Sequence, residues 1–147
     1  MLSLAPLLLV MISPLVVQSS SEDRSSSAAA FRVAEVERLL GEWKEPDERS
    51  LRDWVQLLGA NEPGLIREAR TRAIDAGAEA VPALTSVLRD GGDRAPVRRL
   101  CEALYWIGAP ATEAGPILAE LLAASPAGDR AFVAAALATV DPVSYTH

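Results

Sequence analysis

Along most of the chain, apolar residues recur three and four positions apart, the spacing of one face of an α-helix. Val33, Val36, Leu39, Leu40 and Trp43 set a first helix, which Pro46 is expected to stop. Ser50 followed by Asp53 has the form of a capping box, in which each side chain reaches the other's backbone N–H. It opens a second helix carrying Leu51, Trp54, Val55, Leu57 and Leu58, and Gly59 with the turn Asn61-Glu62-Pro63-Gly64 ends it. Residues 65–76 and 80–89 read as the next two helices, separated at Gly77. Beyond the Gly91-Gly92 break, which has no phosphate-loop pattern, residues 96–107, 114–124 and 130–140 continue the series. No segment alternates with period two over a useful length, so an all-α fold is expected.

The helices also repeat. Ala103-Leu104-Tyr105-Trp106-Ile107-Gly108 parallels Ala136-Leu137-Ala138-Thr139-Val140-Asp141, 33 residues further on. Glu79-Ala80-Val81-Pro82-Ala83-Leu84 parallels Glu113-Ala114-Gly115-Pro116-Ile117-Leu118 at an offset of 34, and Gly92-Asp93-Arg94-Ala95 returns as Gly128-Asp129-Arg130-Ala131 at 36. The slippage falls in loops, where insertions are tolerated. Pro82, Pro96 and Pro116 sit near helix starts, where a missing N–H costs little. Asp93 and Asp129 are expected just before helices, where a carboxylate can cap open N–H groups.

The strings VRRLCEALYWIGAPATEAGPILAELL and ARTRAIDAGAEAVPALTSVLRDG resemble HEAT repeats of the short bacterial type also found in phycobilin-lyase-like proteins. Ala-Leu precedes the linker glycine and Ala-x-Pro-x-Leu follows it. The resemblance covers residues 51–142 well and 31–43 weakly. Asp93 with Arg98 fits the family's pairing of a turn Asp with an Arg on the next helix; Glu62 with Arg67 is looser, and Ala134 replaces the Arg in the last copy. The resemblance implies an α-α superhelix, a HEAT-like solenoid of two and a half to three repeats. It also implies a non-catalytic scaffold for protein–protein interaction. Such a fold suits these residues: each helix pair is too short to bury its own apolar stripe, and alanines let stacked helices approach closely.

The two ends read differently. Residues 1–21 carry no charged side chain, and their apolar run is followed by Val17-Gln18-Ser19. This matches a secretory signal peptide over residues 1–19, although the usual basic residues before the apolar run are missing. A retained N-terminal anchor in the inner membrane and a misplaced start are the alternatives. A 16-residue apolar helix would reach about 24 Å, short of the roughly 30 Å hydrocarbon core. Residues 20–27, within SSSEDRSSS, read as a serine-rich linker, and 28–142 as the helical repeat domain. Residues 143–147, VSYTH, are what GTC TCT TAT ACA CAT encodes, and this resembles the end of a transposon-derived sequencing adapter. The expectation is therefore a fragment whose natural reading frame continues.

Composition narrows the function. The 147 residues include 26 Ala and 20 Leu against seven aromatic residues, which favours helices over sheets. A net charge of −6 argues against general nucleic-acid binding, which needs an electropositive face. Basic residues are 13 Arg and the single Lys44, a bias that suggests a GC-rich genome. Cys101 is the only cysteine and His147 the only histidine, so an intrachain disulfide and a histidine-dependent triad are excluded by counting. Metal-dependent hydroxylases with HEAT-like repeats would need His-Glu pairs, which this chain lacks. The expectation is a non-enzymatic, exported bacterial protein, periplasmic or extracellular, with no cofactor and no metal. The alternatives are an accessory region of a larger enzyme or cytochrome-like protein and, less favoured, a bilin-lyase-like enzyme.

Cys101 lies on the apolar face with Val97, Leu100, Leu104 and Ile107 and reads as a buried structural thiol. Trp106 points about 180° from Val97 around the same helix, with Arg99 and Glu102 within roughly 40° of it. Arg99, Glu102 and Trp106 are therefore the candidate protein-binding patch, the competing reading being that Trp106 packs on a neighbouring repeat. Arg67, Arg70, Arg72, Arg98 and Arg99 form a basic cluster offset by nearby acids, and Glu35, Glu37, Glu42 and Glu45 read as a solvated helix face. If the chain is a fragment, its last helix is expected to expose Phe132, Val133, Leu137 and Val140, a surface for self-association.

Overall fold

The structure, a computed structural model, describes residues 27–90 and 94–143. The expected signal peptide at 1–19, most of the serine linker, the Gly91-Gly92 break, Asp93 and residues 144–147 lie outside the described residues. The chain divides into two units, residues 1–34 and 35–147. In the first, residues 27–34 are helical and mostly exposed. In the second, residues 35–40 are helical and are labelled α1. It is followed by α2 (Leu51–Gln56), α3 (Pro63–Ala76), α4 (Val81–Arg89), α5 (Val97–Ile107), α6 (Gly115–Ala124) and α7 (Ala127–Val140). Short 3₁₀ segments join them at Pro46–Glu48, Leu57–Gly59, Gly77–Ala80 and Ala109–Ala114. The described residues are thus all-helical, with no strand among them.

Local chemistry explains the boundaries. The Ser50 hydroxyl accepts the Asp53 N–H at 3.2 Å while the Asp53 carboxylate accepts the Ser50 N–H at 3.0 Å, so the expected capping box starts α2. Glu62 caps α3, its carboxylate accepting the N–H groups of Gly64 and Leu65 at 3.0 and 2.7 Å. Pro63, Pro82 and Pro116 each fall in a first turn. Gly77 and Gly108 end α3 and α5 with φ of +60° and +72°, a region that residues with a Cβ rarely enter.

Two boundaries differ from expectation by three residues or more; α3 also starts at Pro63, inside the expected turn, two residues early. The first helix ends at residue 40, with Gly41 at φ +85°, five residues before Pro46. Trp43 therefore leaves the helix, and Glu42 and Glu45 lie beyond it. The last helix begins at Ala127, with Pro126 at its N-cap. Asp129 is consequently inside the first turn rather than ahead of it, favourable to the helix dipole without capping it.

Within residues 35–147, successive helices pack as α2–α3, α4–α5 and α6–α7. Alternate helices pack as well: α3 on α5 and α5 on α7, the most extensive contact, and α2 on α4 and α4 on α6. The helices thus form two rows, α2–α4–α6 and α3–α5–α7. Leu57, Leu58, Leu84, Leu88, Leu100, Leu104 and Leu118 are buried between them, each burial contributing roughly 1.5–3 kcal/mol. Ala69, Ala73, Ala103, Ala111, Ala114 and Ala136 are wholly buried, which lets backbones approach closely. At Gly59 a Cβ would collide with the Arg94 carbonyl oxygen, so this contact admits only glycine.

The expected apolar stripe on the last helix is not an exposed surface. Val133, Leu137 and Val140 are buried, because α7 lies against α5 and α6; of the four named residues only Phe132 is exposed. Glu35 is likewise not solvated. It is 6% exposed and accepts from Arg38 at 2.9 Å and from the backbone N–H of Asn61 at 3.4 Å, tying α1 to the turn before α3.

Candidate interaction surface

The helix α5 has one face in the core and one outside. Leu100, Cys101, Ala103 and Leu104 are buried, whereas Trp106 is 62% and Tyr105 43% exposed. Their rings meet edge to face, centroids 5.5 Å apart at 87°. Tyr105 is an addition to the sequence-level patch. Its position, about 100° from Trp106 and close to exposed Arg98 on the helical wheel, was the available signal.

Arg99 and Glu102, the other two members of that patch, are already engaged within the fold. The Arg99 guanidinium donates to the carbonyl oxygens of Leu58 and Ala60 at 2.7 and 2.9 Å. These carbonyls belong to the turn that ends the α2 segment, where the helix itself supplies no donor. Burial, and secondarily Arg98, lower the Arg99 pKa from the ordinary arginine value, yet an arginine remains charged. Glu102 accepts from Arg70 on α3 at 3.0 Å, both side chains about two-fifths exposed. A pair this wet contributes at most about 1 kcal/mol. Of the three residues, Trp106 alone presents its side chain to solvent without an intramolecular polar duty.

A second cluster involves residues that periodicity alone did not connect. The Arg49 guanidinium lies 4.8 Å from the Trp54 ring centroid and 5.2 Å from that of Trp43, and Arg72 lies 5.2 Å from Trp54. Arg49 Nε also donates to the Lys44 carbonyl at 3.0 Å, and the Trp43 indole N–H to Glu45 at 3.1 Å. Burial lowers the Arg49 pKa, opposed by Glu68, Glu45 and Asp53. This stack fixes residues 41–50 against α2 and α3. Only the distance between these residues in space was missing from the sequence; their types, Trp, Arg and Trp, were the signal.

Cys101 is fully buried, and burial, with a smaller push from Asp129, raises its thiol to about 12. It is therefore a thiol and not a nucleophilic thiolate near neutrality. Among the described residues no three His, Cys, Asp or Glu side chains gather as a metal ion would require. No described helix is long and apolar enough to cross a membrane. No family model matches the chain, and neither a curated protein nor a solved structure matches it.

Proposed function

We propose that the chain is a non-catalytic protein-interaction module, a HEAT-like α-α superhelix whose α5 face at Trp106 contacts a partner. The observation that carries this reading is Trp106, 62% exposed on a helix whose opposite face is in the core. Large aromatic side chains on a rigid element lose little entropy on docking and dominate many interfaces. Tyr105 enlarges the apolar surface, and the Arg70–Glu102 pair supplies a polar margin. Arg99 supports the surface indirectly by fastening α5 to the turn between α2 and α3. The two rows of alternate helices support the repeat reading, because each row is what stacked helix pairs produce. The apolar run of residues 1–19 supports export, to a periplasmic or extracellular location in a bacterium.

The test places a photo-crosslinking amino acid at position 106 and, as a control, at exposed position 89 in the other row of helices, in cells that make the protein. A defined adduct from position 106 alone is expected. Trp106→Ala should then weaken the isolated complex by about thirtyfold or more while moving stability by less than about 0.5 kcal/mol. Equal adducts from both positions, or an unchanged affinity, would overturn the reading.

A further inference from the structure

A cleft of about 580 Å³, not lined by Trp106, lies among α1, α2 and the segment before α5. Arg38, Arg52 and Arg94 line it, together with Gln56, Leu39 and Leu40. We propose that it is an anion-binding site for a ligand bearing two or more oxyanion groups, carboxylate or phosphate. Three separate stretches of chain each bring an arginine to the lining of one cavity, in a protein whose net charge is −6. Two of them are partly neutralised: Arg38 by Glu35 at 2.9 Å and Arg94 by Asp90 at 3.3 Å. Both keep about half of their side-chain surface exposed, so N–H donors remain available to a ligand. Arg52 has no carboxylate partner among the described residues. Arg52 and Gln56 are four apart on α2 and so share a face, placing a cation beside an amide that can donate and accept.

The backbone holds this arrangement. Arg38 also reaches the Gly59 carbonyl at 3.4 Å, and Gly59 packs directly on the Arg94 backbone. The turn at Gly59 therefore sets the spacing between the first and third arginines. The planar guanidinium matches carboxylate and phosphate in two-point contact, and the cavity volume lies in the ordinary range for small ligands or a few peptide residues. Leu39 and Leu40 give the cleft an apolar wall for the ligand's carbon skeleton.

The experiment titrates the full chain at low ionic strength with sodium pyrophosphate and, separately, with a tetraglutamate peptide, reading heat and amide chemical shifts. Binding of either probe, with shifts concentrated at residues 38–41, 52–56 and 94–95, is expected, and the tighter probe identifies the source of the oxyanion. Arg52→Gln should weaken it about tenfold, and Arg67→Gln, which removes an exposed arginine outside the cleft, should not. Because Arg52 is exposed and has no ion-pair partner among the described residues, its replacement should leave the thermal midpoint unchanged, separating lost binding from lost folding. No binding of either probe, shifts spread evenly over exposed arginines, or equal effects of the two substitutions would overturn the proposal.

Discussion

The two ends of residues 35–147 are held together by different forces. Around α2 and α3, polar groups fix the structure: the Ser50–Asp53 capping box, the Lys44–Asp53 pair at 3.1 Å, the Glu62 cap, and Arg49 between Trp43 and Trp54. Around α5, α6 and α7 none of the N-cap residues makes a side-chain capping hydrogen bond, and Ala103, Ala111, Ala114, Val133, Ala136 and Leu137 fill the core. Polar anchoring depends on charge state, whereas close packing depends on volume. The same fold therefore contains one region that pH can weaken and another that a single methylene can weaken.

The largest effect is expected at the first region's aromatic centre. Trp54→Ala should cost about 4 kcal/mol in denaturant unfolding, since it opens a large cavity and strands Arg49 and Arg72 without their ring. A loss below about 1 kcal/mol would mean that the stack is surface decoration and would erase the contrast. Next comes the second region. Ala136→Leu adds three carbons to a wholly buried site on α7 and should cost about 2 kcal/mol, with no dependence on pH between 5 and 8. A stabilised variant would show that the α5–α7 contact contains room to spare.

The smallest expected effect is electrostatic. At Asp53 burial raises the pKa, but hydrogen bonds from the Ser50 backbone, Lys44 and the Ser50 hydroxyl, with the Lys44 charge, outweigh it and leave the carboxyl below its ordinary value. A depressed folded-state pKa stabilises the fold above the unfolded value, near 3.8, and that contribution disappears as pH falls through the lower folded value. Asp53→Asn should therefore cost about 1 kcal/mol at pH 7, and the penalty should shrink as the pH falls below the ordinary carboxylate value and through the lower folded one. A constant penalty from pH 7 to pH 2 would assign the effect to shape and not to charge.

Much of the helical order was legible before the structure. The capping box at Ser50, the prolines of the first turns and the spacing of Leu100, Leu104 and Ile107 are local signals, and local signals are what a sequence displays directly. The failures were cases where two local signals competed. Gly41 ended the first helix before Pro46 could, and Pro126 started α7 ahead of the more familiar Asp129. Burial of Val133 and Leu137 depended on which helices lie against α7, and periodicity does not state that. At the candidate surface, the wheel identified the outward direction of Trp106. It could not reveal that Arg99 meets carbonyls some forty positions earlier in the chain, because backbone acceptors have no residue-type signature.

That arginine has a consequence for how the molecule comes apart. If α5 frayed alone, the carbonyls of Leu58 and Ala60 would lose the donor that Arg99 brings to them. Opening at one point in the chain is thereby charged partly to another, which joins neighbouring helix pairs into a single cooperative unit. Amide exchange near residue 60 should then keep time with exchange in α5, and Arg99→Met should let the two fall out of step.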